Sequence, residues 1–387
     1  MGYLTTALTF ILIFATLVFF HELGHFLLAK FFKMRVDEFA LGMGRPKLRL
    51  FSDGETEYTL RAIPIGGFVR IAGMEIEDAY ESRLTGTGRP ASGEGSKAAG
   101  LEGTNVGTMR QEADEVSGVD PAGFNSRPIY QRFLVILAGP VFSFLLGWVA
   151  LCSVGFLFGT PDKTTLKINN VIAGGPAARA GMQNGDTFVS INGRPIEDGA
   201  KLLTTIRESA GTPLRFRVRT AGGQERAITV TPQSGTIPGE AKPVGQIKIE
   251  PKPVILTSKR VGITESIQQG NADVLLWFQT LGKVFASGKL KDNVGGPVAI
   301  VRQTHMAVDL GGGVPLSFLG QLSLSLGFFN LLPVPILDGG HLALMALEAI
   351  RRRKLSAVQT QRVFTAGFAL LCLLFVYVMF KDLFLAG

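Results

Sequence analysis

The sequence predicts an integral membrane protein that is mainly α-helical, with four transmembrane helices, a membrane-associated β-hairpin and one small α+β domain. Three observations lead to this fold class. Of the 387 residues, 46% are hydrophobic and only 18% are charged. Two segments alternate apolar and polar residues, as strands do. Four apolar stretches reach or approach the roughly 20 residues that span the hydrocarbon core of a bilayer; they are 3–32, 133–159, 314–337 and 363–380.

An H-E-x-x-H motif lies inside the first apolar stretch, at His21, Glu22 and His25. Between Tyr3 and Ala29 these are the only ionisable side chains. A charged side chain in the hydrocarbon layer costs roughly 2.5–3.5 kcal/mol on insertion scales, so such residues usually serve a function. Positions i and i+4 of a helix share one face, so both imidazoles can bind one Zn²⁺ while Glu22 polarises a water. The alternative, a chance match, is disfavoured because the chain has only four histidines.

The net charge of +8 does not indicate nucleic-acid binding, because the basic residues form no patch interleaved with aromatic residues. They cluster beside the apolar stretches instead: Lys33, Arg35, Arg45, Lys47, Arg49, Arg127, Arg132, Arg351, Arg352, Arg353 and Lys354. Basic loops face the cytoplasm under the positive-inside rule. We therefore expect residues 34–128 and 351–360 on the cytoplasmic side, and residues 162–250 with both termini on the opposite side.

Residues 57–71 are predicted to form the β-hairpin. Residues 57–62 alternate in character, 63–67 contain the proline and glycines of a turn, and 68–71 follow as a second strand. The tip is apolar enough to enter the membrane, and a surface hairpin is the alternative. Residues 75–123 differ sharply, since they are rich in Gly, Ser, Glu and Ala. That composition is typical of a flexible linker.

Residues 162–250 are predicted to form a small β-rich domain with one main helix near residues 202–206. The string from Gly175 to Gly193 reads G-P-A-x-x-A-G-M-x-x-G-D-x-x-x-x-I-N-G and resembles a PDZ domain. A PDZ fold implies a groove to which peptides add as an extra strand. A domain that only packs or blocks access, without binding a peptide, is equally compatible with this sequence.

Asp338 lies at the end of the third apolar stretch, just after prolines at positions 333 and 335 that interrupt helical hydrogen bonding. Irregular backbone at membrane depth is tolerated only where it lines a cavity or is buried in protein. Two histidines leave a zinc ion short of ligands, so Asp338 is the preferred third ligand. An interfacial acid that ends the span is the alternative. His341 could also bind, but we interpret it as a packing residue, because a catalytic zinc keeps one position open for water.

The order of these motifs resembles that of the site-2 protease family of intramembrane zinc metalloproteases, specifically the bacterial regulator of sigma-E protease branch. The order is H-E-L-G-H in the first span, G-G-F-V in the hairpin, L-A-G-P in the second span, the PDZ-like segment, G-G-P, and N-L-L-P-V-P-I-L-D-G-G-H in the third span. The resemblance implies one Zn²⁺ per chain. It implies that His21, His25 and Asp338 bind the zinc and that Glu22 is the general base.

The resemblance also implies which residues hold the substrate. Asn330, Pro333 and Pro335 would position the substrate backbone. The hairpin around Gly66 and Gly67 would be a membrane-reentrant loop that keeps the substrate extended.

Three features depart from the family pattern. Many members of this branch carry two PDZ domains, whereas the length available here is enough for one. The second span has Ser143 where the family's G-P-x-x-N-F has asparagine, which weakens any polar role assigned to this position. The insertion at 75–123 lengthens a cytoplasmic loop, and the resemblance implies nothing about its use.

The predicted organisation has eight parts. They are the first transmembrane helix (1–33), the membrane-reentrant hairpin region (34–74), a flexible polar insertion (75–126), the second transmembrane helix (127–160), the PDZ domain (161–250), an amphipathic helix region (251–310), the third transmembrane helix (311–350), and a basic loop with the fourth transmembrane helix (351–387). Within the sixth part, residues 265–291 are expected to form the amphipathic helix beside the third span.

The function that the resemblance implies is regulated intramembrane proteolysis, the hydrolysis of peptide bonds within or near the transmembrane segments of single-span membrane proteins. Substrates would be proteins already trimmed by an upstream site-1-type protease, such as anti-sigma factors, or remnant signal peptides. The chain would reside in the lipid bilayer of the bacterial inner membrane, with its PDZ domain on the extracytoplasmic side.

Two other functions are less compatible with this sequence. The first is a catalytically inactive membrane scaffold that recruits partners through its PDZ domain, and the presence of all four presumed catalytic residues argues against it. The second is a metal transporter, which would need polar residues continuing across several spans. Here the polar residues stop at one depth.

Overall fold

The computed structural model describes residues 2–74, 122–236, 243–288, 295–353 and 357–384. The chain divides into two compact units. The first comprises Met1–Ala150, Val274–Val308 and Leu316–Gly387, and the second comprises Leu151–Asp273 and Asp309–Pro315. The predicted linker at 75–126 lies outside the described residues except for its last five positions, which include a short 3-10 helix with Phe124 buried.

Nine α-helices lie within the described ranges: α1 (Gly2–Phe31), α2 (Ile129–Phe158), α3 (Pro176–Arg179), α4 (Gly199–Glu208), α5 (Ile263–Ala286), α6 (Pro297–Leu310), α7 (Val314–Asn330), α8 (Asp338–Arg351) and α9 (Ala357–Phe384). Among the described residues, three helices are long and apolar enough to cross a membrane, namely α1, α2 and α9. These correspond to the first, second and fourth predicted spans.

The third predicted span, at 314–337, is only partly helical. Its first 17 residues form α7, which ends at Asn330. This is slightly shorter than the roughly 20 residues of a typical span. Residues 331–337 are turns and irregular backbone, because Pro333 and Pro335 cannot continue a helical hydrogen-bond ladder. α8 begins at Asp338, so the predicted break in the helix before this residue is confirmed.

Ten strands are described: β1 (Val36–Ser52), β2 (Glu57–Ile71), β3 (Thr160–Val171), β4 (Thr187–Ile191), β5 (Arg194–Pro195), β6 (Leu214–Arg219), β7 (Glu225–Val230), β8 (Gln233–Gly235), β9 (Val244–Gln246) and β10 (Ile249–Lys259). They form three sheets, one made of β1 and β2, one of β8 and β9, and one of the six remaining strands.

The sheet of β1 and β2 corrects the predicted hairpin. Residues 57–71 form one strand, not two strands around a turn, and their partner is β1. Residues 36–41 of β1 lie between 57–60 on one side and 67–71 on the other. Residues 47–52 of β1 also pair with residues 57–61. The two halves of β2 therefore flank residues 36–41, the first part of β1, and the register of this sheet pairs no residue of one half with the other.

The physical reason for this correction is burial in the middle of the sheet. Val36, Phe39 and Ala40 of β1 are all buried, so the central position belongs to a segment that the sequence pattern did not identify as a strand. Residues 67–71 are left at an edge of the sheet, since the described residues include no further strand beside them.

The core of the first unit joins α1, α2, α8 and the β1–β2 sheet. One apolar cluster contains Ala29 of α1, Val36 of β1, Val135 of α2 and Met345 of α8. A second cluster contains residues of α1, α2 and α7: Ile13, Leu17, Ala150 and Leu319. Buried apolar contact of this kind fixes the relative positions of the helices that carry the chemistry-bearing residues.

The second unit contains the predicted β-rich domain, which we call the PDZ-like domain (residues 160–259). Its strands follow the order β10-β3-β4-β6-β7, with β5 paired to β4. Phe188 of β4 and Phe216 of β6 lie in its core, and α4 covers the core with Leu202 and Ile206. Asp198 caps α4 by accepting hydrogen bonds from the first backbone N–H groups of the helix. The predicted strands and main helix of this domain are confirmed.

Candidate metal centre

His21 and His25 lie on one face of α1, one helical turn apart. Both are buried, each with 8% of its surface exposed. Their Nε2 atoms are 3.4 Å apart. The predicted convergence of the two imidazoles is therefore present in the structure, with both Nε2 atoms directed to one point.

Asp338 reaches the same point from the start of α8. Its Oδ2 atom lies 3.1 Å from Nε2 of His21 and 3.5 Å from Nε2 of His25. Two glycines after it allow the turn of α8 to pack on the irregular segment. A Cβ on Gly339 would lie 2.2 Å from the carbonyl oxygen of Leu332, and a Cβ on Gly340 would lie 2.4 Å from the carbonyl oxygen of Val334.

These three side chains fit a metal ion. One ligand atom from each of them lies within 4.8 Å of the others. In tetrahedral zinc sites with bonds of about 2.0–2.1 Å, ligand atoms are about 3.3 Å apart, which agrees with the three distances found here. The Oδ2 atom of Asp338 is also buried without a hydrogen-bond partner. A buried carboxylate oxygen facing two imidazole nitrogens is the donor set that zinc prefers.

The face of α2 that meets the histidines is shaped by glycine. A Cβ on Gly139 would lie 2.1 Å from Nε2 of His25, so only glycine leaves room for the ring. Gly24, inside the H-E-L-G-H motif, has the matching role on α1, because its Cβ would lie 2.4 Å from the carbonyl oxygen of Ala138. These two glycines let α1 and α2 approach at backbone distance.

α2 also holds the outer nitrogens of both rings. Nδ1 of His25 lies 2.9 Å from the carbonyl oxygen of Val135. Nδ1 of His21 lies 2.9 Å from the hydroxyl oxygen of Ser143, a fully buried residue. The expectation that serine weakens a polar role at position 143 is corrected here, since the hydroxyl is long enough to reach the ring.

Sequence reasoning did not identify Val135, Gly139 and Ser143 as a set. They are spaced four residues apart, which places them on one face of a helix. Gly139 belongs to the L-A-G-P motif of the second span. The four-residue spacing from Gly139 to Ser143 is the signal that could have indicated a face of α2 packed against the two histidines.

A cavity of about 340 Å³ opens beside the three ligands. It is lined by Glu22, by Gly66 and Gly67 of β2, and by Asn330 at the end of α7. Four of the residues predicted to act on a substrate thus share one cavity. Glu22 follows His21 directly, so its side chain is close to the ligands without belonging to the metal group.

Pro333 and Pro335 are not among the residues that line this cavity. Pro335 packs against α9 instead. A Cβ on Gly367 of α9 would lie 2.3 Å from the Cβ of Pro335. His341 is also outside the metal group, and its ring packs on Phe364 of α9 with ring centroids 4.7 Å apart. This contact agrees with the interpretation of His341 as a packing residue.

Comparison with known proteins gives a family match over residues 9–374, to the model described as peptidase family M50. Among curated proteins, the chain is 33% identical to the zinc metalloprotease RasP of Geobacillus kaustophilus, over 98% of both chains. It is 31% identical to the probable protease eep of Enterococcus faecalis, again over 98% of both chains. It is 29% identical to the regulator of sigma-W protease RasP of Bacillus subtilis, over 98% of this chain and 99% of the relative.

Among solved structures, the PDZ domain of an SdrC-like protein from Listeria monocytogenes matches 24% of this chain and 90% of its own length. The sequence identity is 18% and the TM-score is 0.20.

Proposed function

Because the chain belongs to peptidase family M50, we propose that it is an intramembrane zinc metalloprotease that hydrolyses peptide bonds within or near the transmembrane segments of single-span membrane proteins. The observation that carries this proposal is the convergence of His21, His25 and Asp338 beside a cavity that also contains Glu22. Two of these ligands lie within an apolar helix long enough to cross a bilayer. The names of the curated relatives, zinc metalloprotease RasP and regulator of sigma-W protease, agree with this chemistry.

In the proposed mechanism, His21, His25 and Asp338 hold one Zn²⁺ per chain. When bound, zinc supplies Lewis-acid chemistry that acidifies water to a pKa of about 7 and polarises a carbonyl. The carboxylate of Glu22 takes a proton from the attacking water and passes it to the leaving amide nitrogen. Glu22 lines the cavity and is not one of the three side chains that could hold a metal, which suits its carboxylate to this transfer.

The substrate must be unwound before its carbonyl can be attacked, because a transmembrane helix keeps its carbonyls in internal hydrogen bonds. We propose that the edge of β2 at residues 67–71 holds the unwound segment by strand addition. Gly67 packs closely on α1, where its Cβ would lie 2.7 Å from Val18 and 3.5 Å from Glu22. A strand added at this edge would therefore lie near the general base.

The other residues predicted to bind the substrate are given roles from where they lie relative to the cavity. Asn330 lines the cavity, and its amide is suited to bind a backbone group of the substrate. Pro333 and Pro335 act through the irregular segment that they shape before Asp338. Gly66 lines the cavity with a φ of +91°, a backbone conformation that glycine adopts without strain.

For the membrane arrangement, we propose four spans in the bacterial inner membrane, with α7 as part of the third. The eight-part division given above is part of this proposal. Four large apolar residues of the β1–β2 sheet are exposed: Met43, Leu48, Leu60 and Ile63. They form an apolar surface suited to membrane contact. The PDZ-like domain is assigned to the extracytoplasmic side, opposite the basic loops.

Substrates in this proposal are single-span proteins trimmed beforehand by a site-1-type protease, such as anti-sigma factors, or remnant signal peptides. The alternative, an inactive scaffold that recruits partners through the PDZ-like domain, is disfavoured because the general base and the presumed ligands converge in one place. Inactive relatives of an enzyme would not need this geometry.

The test is reconstitution of the purified full chain in lipid vesicles with single-span substrates, with and without a zinc chelator. We expect cleavage within or beside the substrate's transmembrane segment, its loss on chelation, and its return when zinc is added. Mapping the cut by mass spectrometry locates the scissile bond. Cleavage that persists without metal, or that falls only in a soluble domain, would contradict the proposal.

A further inference from the structure

The outer hydrogen bonds of the two histidines differ in kind, although both come from α2. His25 faces the backbone carbonyl of Val135, which can only accept. The Nδ1 of His25 therefore carries the proton, and its Nε2 lone pair is free for a metal. His21 faces the hydroxyl of Ser143, which can either donate or accept.

This difference gives His21 two possible tautomers. If the Ser143 hydroxyl donates to Nδ1, the proton of His21 lies on Nε2, which then points at Asp338 and cannot bind a metal. If the hydroxyl accepts from Nδ1, Nε2 presents its lone pair to the metal. Either state keeps the hydrogen bond between the ring and the Ser143 hydroxyl, so this contact is compatible with both tautomers.

Ser143 lies in a buried contact between α2 and α7 that involves its backbone and not its hydroxyl. Its backbone carbonyl accepts a hydrogen bond from the Ser323 hydroxyl of α7 at 2.7 Å, and both serines have no exposed surface. Removal of the hydroxyl would leave Nδ1 of His21 buried without the partner described here.

We propose that Ser143 is a positioning residue for the metal centre, whose hydroxyl accepts the Nδ1 proton of His21 and so keeps Nε2 available to zinc. This inference rests on the proposed function, since it requires that His21 binds the metal. Groups that orient metal-binding histidines commonly contribute about 10–100-fold to metal affinity or activity.

The experiment compares Ser143→Ala with Ser323→Ala in the full chain. Both changes remove one buried hydroxyl from the same pair of helices, but only the first removes a partner of a histidine. Zinc affinity is measured by competition with a chromogenic chelator, and the visible spectrum of the cobalt-loaded protein reports on ligand geometry. Thermal unfolding of both variants reports on the fold.

We expect Ser143→Ala to weaken zinc binding by about 10–100-fold and to alter the cobalt spectrum. Ser323→Ala should keep the affinity and the spectrum of the unchanged protein. Equal effects of both changes, or wild-type affinity in Ser143→Ala, would overturn the positioning role. An unchanged protein that binds no zinc would instead refute the proposed metal site itself, and one that binds zinc without cleaving would refute the proposed protease function.

Discussion

Gly24 of α1 lies against Ala138 of α2 so closely that a Cβ on Gly24 would be 2.4 Å from the Ala138 carbonyl oxygen. The glycine is thus the point at which the two helices touch through their backbones. It lies between the two histidines in sequence, so the distance between the helices at this point also sets the distance between the rings and their partners on α2.

Gly24→Ala should force α1 and α2 apart. Because the opposing atom belongs to the backbone, the clash cannot be relieved by a rotamer change, and overpacking of this kind typically costs about 1–3 kcal/mol or more. We expect a lower unfolding temperature and reduced zinc content in the purified protein. Gly282→Ala on α5 is the matched control, since a Cβ there would meet nothing within 4 Å. Wild-type zinc content and stability in Gly24→Ala would show that the helices can separate without cost.

Glu22→Gln should separate metal binding from turnover. The three presumed ligands stay in place, so bound zinc should remain near one per chain. The amide cannot take a proton from water, and a general base commonly contributes about 10²–10⁴-fold to the rate. Zinc content and cleavage rate should be measured on one preparation. Cleavage by the variant near the wild-type rate would assign the base to another residue.

Asp338→Ala should lower zinc occupancy and activity together, because it removes the carboxylate that contacts both imidazoles. His341→Ala is the control from the same helix, since its ring packs on Phe364. We expect this control to retain most of its zinc. If Asp338→Ala binds zinc as tightly as the unchanged protein, the third ligand lies elsewhere and His341 is the next candidate.

The membrane topology can be tested by labelling single cysteines with an impermeant maleimide. Arg217 of β6 and Arg352 after α8 are both exposed, so each can be replaced by cysteine in a chain whose Cys152 and Cys372 are changed to alanine. The positive-inside rule predicts that position 217 reacts in intact cells and that position 352 reacts only in inverted vesicles. Reaction of position 217 only from the cytoplasmic side would reverse the scheme.

Deletion of the PDZ-like domain should change which substrates are cut, without removing catalysis. Thr164 of β3 and Ile255 of β10 are paired residues. Residues 165–254 can therefore be replaced by an Asn-Gly turn that joins the two strand stubs as a hairpin. If the domain excludes bulky ectodomains by size, the shortened enzyme should cleave trimmed substrate as before and also cleave the untrimmed protein.

Both substrates should be compared in vesicles that contain the unchanged or the shortened enzyme, with zinc content measured on each. A zinc-loaded, folded deletion variant that fails on the trimmed substrate would favour recruitment of substrate by this domain over exclusion by size.

The sequence was sufficient to predict the metal group because each of its members carries a strong local signal. His21, Glu22 and His25 stand alone as ionisable residues in an apolar helix, and Asp338 follows two prolines where a helix must break. The strands of the PDZ-like domain were equally predictable from the sequence. Residues such as Phe188 and Phe216 point into the core and alternate with polar neighbours that point away from it.

Two other features depended on contacts that no local pattern reveals. The order of segments in the β1–β2 sheet is set by the burial of residues 36–41 against α1 and α2, which is a tertiary effect. The contact of Ser143 with His21 joins two distant helices, and a serine in an apolar helix gives no indication of which neighbour its hydroxyl meets. Local sequence therefore pointed to the three side chains that converge in the structure, but not to the groups of α2 that lie against them.

The division of the metal group between α1 and α8 has a consequence for biosynthesis. A ribosome releases the two histidines more than 300 residues before it releases Asp338. A nascent chain already anchored in the membrane thus holds two imidazoles and the carboxylate of Glu22, but not the third presumed ligand. A chain that stops before Asp338 cannot bring the three side chains together, so the presumed metal site can form only after the start of α8 has been made.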